Sequence, residues 1–149
     1  MFEAAGAWSN NWAWSVPLIV LTVLAHTFGL ALIRELVVLP LSLRLGRHRT
    51  SFLLAALMVP TVLLVTFLHA LEAGVWAVAY VALDARGDFA TAMLYSLSAM
   101  TTFGHAEIFL AAHWRLMGAL EALNGVMLFG LTTAFLFAVV QRHWPAPGH

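Results

Sequence analysis

Residues 89–107 read FATAMLYSLSAMTTFGHAE, an apolar run of 12 residues followed by a short segment rich in Thr and Gly. A helix needs about 20 apolar residues to cross ~30 Å of hydrocarbon, so residues 89–100 are too short to span a membrane. They predict a re-entrant or interfacial helix, with Asp88 as a candidate N-cap. Irregular backbone at membrane depth persists only where protein buries it or where it lines a watery cavity. Residues 101–107 therefore predict a loop of that kind.

The composition of the whole chain is that of an integral membrane protein. Of its 149 residues, 62% are hydrophobic and 9% are charged, whereas soluble domains have roughly 45–50% and about 25%. The formal net charge is zero and Cys is absent, so nothing indicates a nucleic-acid partner, and disulfides are excluded. No basic region precedes the first apolar stretch, which predicts a retained anchor rather than a cleaved signal peptide.

Three longer apolar stretches surround the short one and predict three transmembrane helices in the lipid bilayer. They lie at residues 16–39, 51–83 and 114–141. Pro40 is expected to end the first span. The second stretch is longer than one crossing requires, so Pro60 is expected to kink it or to divide it. The predicted fold is a single all-α membrane domain over residues 1–149.

The distribution of arginine predicts the orientation of the chain. All seven Lys or Arg residues are Arg. One side of the predicted membrane holds Arg44, Arg47, Arg49 and Arg142, and the other side holds Arg86 and Arg115. The positive-inside rule then puts the amino terminus outside and the carboxy terminus in the cytoplasm of a bacterial inner membrane. Residues 1–15, which contain three Trp, are expected to lie in the membrane interface.

The order of span, short helix, Thr/Gly segment and span resembles the pore module of tetrameric potassium channels. The resemblance covers residues 62–141 and is closest to small bacterial members that carry one extra helix before the module. It implies an outer helix at 51–83, a pore helix at 88–100, a filter at 101–107 and an inner helix at 114–141. It also implies a homotetramer, because one chain supplies only one loop to a central pore.

The resemblance implies roles for the residues of the loop. It implies that the ion-conduction filter is formed by Thr101, Thr102, Phe103, Gly104 and His105. It implies that the pore mouth is formed by Ala106 and Glu107. Two threonines and Gly104 match a filter that usually reads Thr-Thr-Val-Gly-Tyr-Gly-Asp, and Glu107 stands at the position of its Asp. Thr hydroxyls and backbone carbonyls can replace the hydration shell of a cation. A carboxylate at the mouth would concentrate cations there.

Three residues of the loop depart from the family pattern. Phe103 replaces a small β-branched residue, His105 replaces Tyr, and Ala106 replaces the second Gly. A residue other than Gly costs about 1–2 kcal/mol in left-handed geometry, and four copies would multiply that cost. The resemblance therefore implies a passive pore for monovalent cations, potassium or sodium, without implying selectivity for potassium.

Four ionisable residues lie inside the predicted spans, namely His26, His69, Glu72 and Glu121. Such groups are costly in a membrane and usually face the bundle interior or a cavity. They lie at similar predicted depth and are expected to meet behind the filter. One interpretation is a metal or proton site. The other, which we favour, is a hydrogen-bonded network that braces the pore helix through Ser96 or Ser98, with no metal or other cofactor.

One face of the third span carries Glu121, Gly125, Leu128 and Thr132, spaced by four, three and four residues. Asn124 lies beside this face. It can line a cavity, with Gly125 as a hinge, or it can serve close packing between helices, which small residues permit. The spacing places these residues on one face but does not separate the two interpretations.

Two alternatives to a conducting channel remain open, and neither the channel nor the first alternative is an enzyme. The altered loop is compatible with a non-conducting membrane scaffold or channel subunit. A membrane haem or metal enzyme with His26 and His69 as ligands is disfavoured, because most of the seven histidines lie near the ends of the predicted spans.

Overall fold

The structure, a computed structural model, describes residues 2–44, 51–104 and 107–144. Within those ranges every regular element is helical: α1 (Phe2–Ile33), a π-helical segment (Arg34–Val38), α2 (Leu39–Arg44), α3 (Ser51–Ala82), α4 (Phe89–Met100), a 3-10 turn (Ala112–Trp114) and α5 (Arg115–His143). In the described part of the chain, three stretches are long and apolar enough to cross a membrane, Trp8–Leu43, Leu54–Ala82 and Ala112–His143. The chain is therefore an all-α membrane protein, as the composition predicts.

The first continuous helical stretch, from α1 through the π-helical segment to α2, extends beyond the predicted span at both ends. It begins at Phe2, so the Trp-rich stretch forms the first turns of α1. The prediction that Pro40 ends the helix is wrong, because the chain stays helical to Arg44. A π-helical segment precedes the proline, and in it the Leu39 amide donates to the carbonyl of Arg34. This wider turn gives room to the proline ring, which in a regular helix would meet the carbonyl four residues earlier.

Pro60 lies inside α3 and does not divide it, since the helix is continuous over Ser51–Ala82. The chain then reverses at Asp84, whose φ is 52°, and α4 begins after Asp88. The Asp88 carboxylate accepts a hydrogen bond from the Thr91 amide at 2.8 Å, which confirms the predicted N-cap. The hydrogen bonds from Thr91 lower the pKa of Asp88. This cap is therefore present at neutral pH and is lost only as the pH falls through that lowered value.

The short helix α4 packs between α3 and α5, and α1 packs against the other side of the same two helices. Among the residues that the structure describes, three small apolar clusters hold the bundle together. The first joins Trp76 and Tyr80 to Trp114 and Met117, and another joins Ala73 and Leu128 to the end of α4 at Met100. A further cluster, formed by Leu30, Ile33, Val38, Val65 and Val139, lies where α1, α3 and α5 meet beyond α4. The carboxyl end of α4 is thus held at the middle of the bundle.

Asn11 fastens α1 to the start of α5 in the same subunit. Its Nδ2 donates to the carbonyl of His113 at 2.6 Å, and its Oδ1 accepts from the amide of Met117 at 2.7 Å. The first amides of a helix have no partner within the helix, so Asn11 supplies one from 106 residues away. The beginnings of α1 and α5 therefore lie on the same side of the bundle. Arg34 and Arg142 line one pocket at the opposite end.

We expect Asn11→Ala to lower the free energy of unfolding by about 1–3 kcal/mol, because it leaves a buried amide and a carbonyl without partners. Chemical denaturation in detergent measures this change. Asn10→Ala is the matched control, since Asn10 is exposed on the same turn. Equal stability of the two variants would show that the contact does not hold the helices together.

Candidate functional site

The loop after α4 folds back over the end of the helix. The Thr101 hydroxyl donates to the carbonyl of Leu97 at 2.7 Å, and the Thr102 amide donates to the carbonyl of Ala99 at 3.0 Å. Thr102 has φ 56° and Gly104 has φ 69°, both in the left-handed region. Glycine reaches that region at little cost, whereas a Thr there costs about 1–2 kcal/mol. Thr101 and Thr102 therefore act as a helix C-cap within the subunit.

The described part of the loop, residues 101–104 and 107, lies on the surface of the single chain. Phe103 is 79% exposed, and the neighbouring residues Thr101, Thr102, Gly104 and Glu107 are exposed as well. The predicted filter residue His105 and the predicted mouth residue Ala106 lie outside the described residues. The described residues of a single chain do not enclose the loop. A pore at this loop would need further copies of the chain.

Glu121 connects α5 to both neighbouring helices from a fully buried position. Its carboxyl accepts from the Tyr80 hydroxyl at 2.5 Å and contacts the Ser96 hydroxyl on α4. Ser96 also donates to the carbonyl of Ala73 at 2.8 Å. A serine hydroxyl has one proton to donate, and Ser96 already uses it in the bond just described. The contact with Glu121 is therefore a second hydrogen bond only if the Glu121 carboxyl carries a proton and donates it to the Ser96 oxygen. The half-length helix is braced from two sides in this way.

Gly125 is the point at which α5 touches the end of α4. A Cβ added there would lie 2.3 Å from the Met100 carbonyl oxygen and 2.6 Å from its Cα. These are backbone atoms, so a side chain at residue 125 can fit only if the helices separate. The loop starts at the next residue after Met100, and its position is therefore set by this close approach.

A second buried polar cluster joins α1, α3 and α5. His26 Nδ1 lies 2.9 Å from Glu72 Oε1, and His69 Nδ1 lies 3.2 Å from Glu72 Oε2. The Thr132 hydroxyl lies 3.0 Å from His69 Nε2 and 3.1 Å from His26 Nε2. The expectation that four ionisable residues meet is thus wrong for Glu121, which belongs to the network with Tyr80. Of the two serines proposed as braces, Ser96 contacts Glu121, whereas Ser98 donates to Leu94 of its own helix.

The polar face of α5 points into the subunit. Glu121, Gly125, Leu128 and Thr132 are all buried against α1, α3 and α4. Asn124 is buried too and donates to the Thr22 hydroxyl at 2.8 Å. The packing interpretation agrees with this arrangement, and the cavity-lining interpretation does not. The opposite side of α5 is exposed in the single chain, including Leu123, Val126 and Met127.

Sequence reasoning missed Tyr80, Thr22 and Asn11 as partners of these groups. Each is a polar side chain within or beside an apolar helix. Because such groups need a hydrogen-bond partner in a membrane, their position could have indicated that they take part in a buried polar contact. The identity of the partner is not readable from local spacing. The three contacts join residues that are 41, 102 and 106 positions apart.

Comparison with known proteins adds one finding to this geometry. A protein-family model described as an ion channel matches residues 64–142, slightly more than half of the chain. The match begins within α3 and includes α4, the described part of the loop and α5 almost to its end. α1 lies before it. No curated protein and no solved structure matches the chain.

Proposed function

The chain belongs to the ion-channel family, and from that premise we propose that four copies form a pore that conducts monovalent cations passively across the bacterial inner membrane. The observation that carries the proposal is the braced half-length helix α4, which ends at a loop exposed on the subunit surface. Such a loop is tolerated at membrane depth where protein buries it or where it lines water. A ring of copies would supply both conditions.

Each element of the loop region has a role in this proposal. The carboxyl end of α4 carries partial negative charge and would attract a cation. Hydroxyl and carbonyl oxygens of the filter, residues 101–105, would replace water around the ion. Glu107, with its neighbour Ala106, would form the mouth. Glu121 and Gly125 would hold the filter in place from the inner helix.

The surface of the chain supports an assembly embedded in lipid. Large apolar side chains are exposed along α1, α3 and α5, among them Phe28, Phe67 and Met127. Lipid would cover part of this surface, and neighbouring copies would cover the part beside the loop. The arginine distribution supports an outer position for the loop and the amino terminus, with the carboxy terminus in the cytoplasm.

One observation favours a second candidate, a non-conducting scaffold or channel subunit. Thr102 occupies a left-handed position and bonds back to its own helix, so residues 101–104 do not extend away from α4 as a row of free carbonyls. A chain of this shape could complete an assembly without passing ions. Conduction therefore has to be measured directly.

The direct test is cation flux into liposomes that hold the purified protein, with potassium, sodium and caesium gradients compared. Flux of at least one cation supports the channel, and the order among the three reports its selectivity. Replacing Phe103 by Val, His105 by Tyr and Ala106 by Gly together is expected to raise the permeability of potassium over sodium. Absence of flux for every cation at several pH values would leave the scaffold as the better proposal.

Glu107→Gln is expected to reduce cation flux in low salt and to have little effect in high salt. The exposed carboxylate attracts cations through its charge, and added salt screens that attraction over about 10 Å at 0.1 M. Flux measured at two ionic strengths checks the prediction. Glu35→Gln provides the control, because Glu35 is an exposed carboxylate on the π-helical segment at the opposite end of the bundle, where it pairs with Arg34. A salt-independent loss of flux would exclude an electrostatic role for Glu107.

A further inference from the structure

The cluster of His26, His69 and Glu72 is buried where α1 meets α3. The exposed fractions of the three residues are 0%, 8% and 2%. One ligand atom from each residue can be chosen so that all three lie within 4.8 Å of one another. Nitrogen and carboxylate ligands at bond lengths of about 2.0–2.2 Å in a tetrahedral site would lie roughly 3.3 Å apart. Each imidazole nitrogen is already close to that separation from one oxygen of the carboxylate, His26 Nδ1 at 2.9 Å from Oε1 and His69 Nδ1 at 3.2 Å from Oε2.

The second observation is a pair of buried atoms that face each other without a hydrogen bond. His69 Nδ1 and Glu72 Oε2 lie 3.2 Å apart, within ion-pair distance, but the two atoms are not aligned as a hydrogen bond and have no other hydrogen-bond partner. A buried polar atom without a partner is costly, especially in a membrane. Since no hydrogen bond of proper geometry joins them, a lone pair of each atom is available to an ion. A metal ion placed beside the carboxylate would bind both atoms at once.

Thr132 supplies the outer support that a metal site of this kind requires. Its hydroxyl oxygen lies 3.0 and 3.1 Å from Nε2 of His69 and His26. If both Nε2 atoms carry their protons, both imidazoles donate to this one oxygen, which has two lone pairs. Both Nδ1 atoms then present lone pairs toward Glu72. Histidine ligands of metals usually donate their second ring N–H to such a partner, which fixes the tautomer.

Against the interpretation favoured from the sequence, we propose that His26 Nδ1, His69 Nδ1 and the Glu72 carboxylate bind one divalent transition-metal ion of the zinc type in each subunit. The ligand set, two imidazoles and one carboxylate, suits such ions. The ion would join α1 to α3, and Thr132 would link the site to α5. It would thereby attach α1, which lies before the family match, to the channel module. Because the ligands are buried, the ion would enter as the chain folds.

The test uses the full-length protein, expressed with zinc in the growth medium so that it is loaded with metal as it folds, and purified through a tag without histidine. Elemental analysis after removal of free metal should show about one zinc per chain. Loading with cobalt should add the visible absorption of a bound Co²⁺ ion. Glu72→Gln should lose the bound metal because a neutral amide binds these ions poorly. Thr132→Val should keep the site but weaken affinity by about 10–100-fold.

His113→Asn is the matched control, because His113 is exposed and lies outside the cluster. It should bind the same amount of metal as the unmodified chain. Two outcomes would overturn the proposal: unmodified protein that holds no stoichiometric metal after loading, or equal binding by Glu72→Gln and His113→Asn. The first outcome does not depend on whether any variant folds. Neither outcome bears on whether the chain conducts ions.

Discussion

Gly125→Ala should abolish most of the cation flux and lower the free energy of unfolding by about 1–3 kcal/mol, as overpacking commonly does. The new Cβ would lie 2.3 Å from the Met100 carbonyl oxygen, so α4 and α5 must separate. The loop begins at Thr101, directly after Met100, and would move with the end of α4. Flux into liposomes and unfolding in detergent measure the two effects separately.

Gly130→Ala and Gly74→Ala are the controls for this variant. Both glycines lie within long helices, and an added Cβ would meet nothing within 4 Å at either position. Alanine favours a helix over glycine by roughly 0.5–1 kcal/mol, so neither control should lose stability. If Gly125→Ala behaved like the controls, the close approach of α5 to α4 would not determine the position of the loop.

Glu121→Ala is the second substitution expected to have a large effect. It removes the partner of the buried Tyr80 hydroxyl, which costs about 1–3 kcal/mol when left unsatisfied, and it removes one of the two partners of the Ser96 hydroxyl, which keeps its bond to the Ala73 carbonyl. We therefore expect a loss of at least about 1–3 kcal/mol in the free energy of unfolding. Cation flux should fall with it, because α4 loses its brace to the inner helix.

Glu121→Gln separates the hydrogen bonds of this carboxyl from its charge. The amide group can donate to Ser96 and accept from Tyr80, as a protonated carboxyl does. The Gln variant should therefore keep most of the stability and flux that the Ala variant loses. Equal damage from Gln and Ala would mean that Glu121 works as a negative charge rather than as a member of a shared-proton network.

The sequence was sufficient for those features that depend on local composition and length. Apolar runs identified three membrane helices, and the 12 residues of α4 were too few for a fourth crossing. The predicted cap at Asp88 depends on residues three positions apart, and local geometry determines it. The predicted end of the first helix at Pro40 was wrong because a π-helical segment accommodates this proline. Helix propensity alone does not reveal such a segment.

The membrane character and the half-length helix were thus determined by the sequence itself, because hydrophobicity and helix length act locally along the chain. The tertiary structure alone decided which polar groups meet. It placed Glu121 with Tyr80 and Ser96, and it placed His26 with Glu72 and Thr132. It also made Gly125 a contact with the backbone of α4. These choices depend on how helices pack across 25 to 106 residues of chain, and packing is a property of the whole bundle.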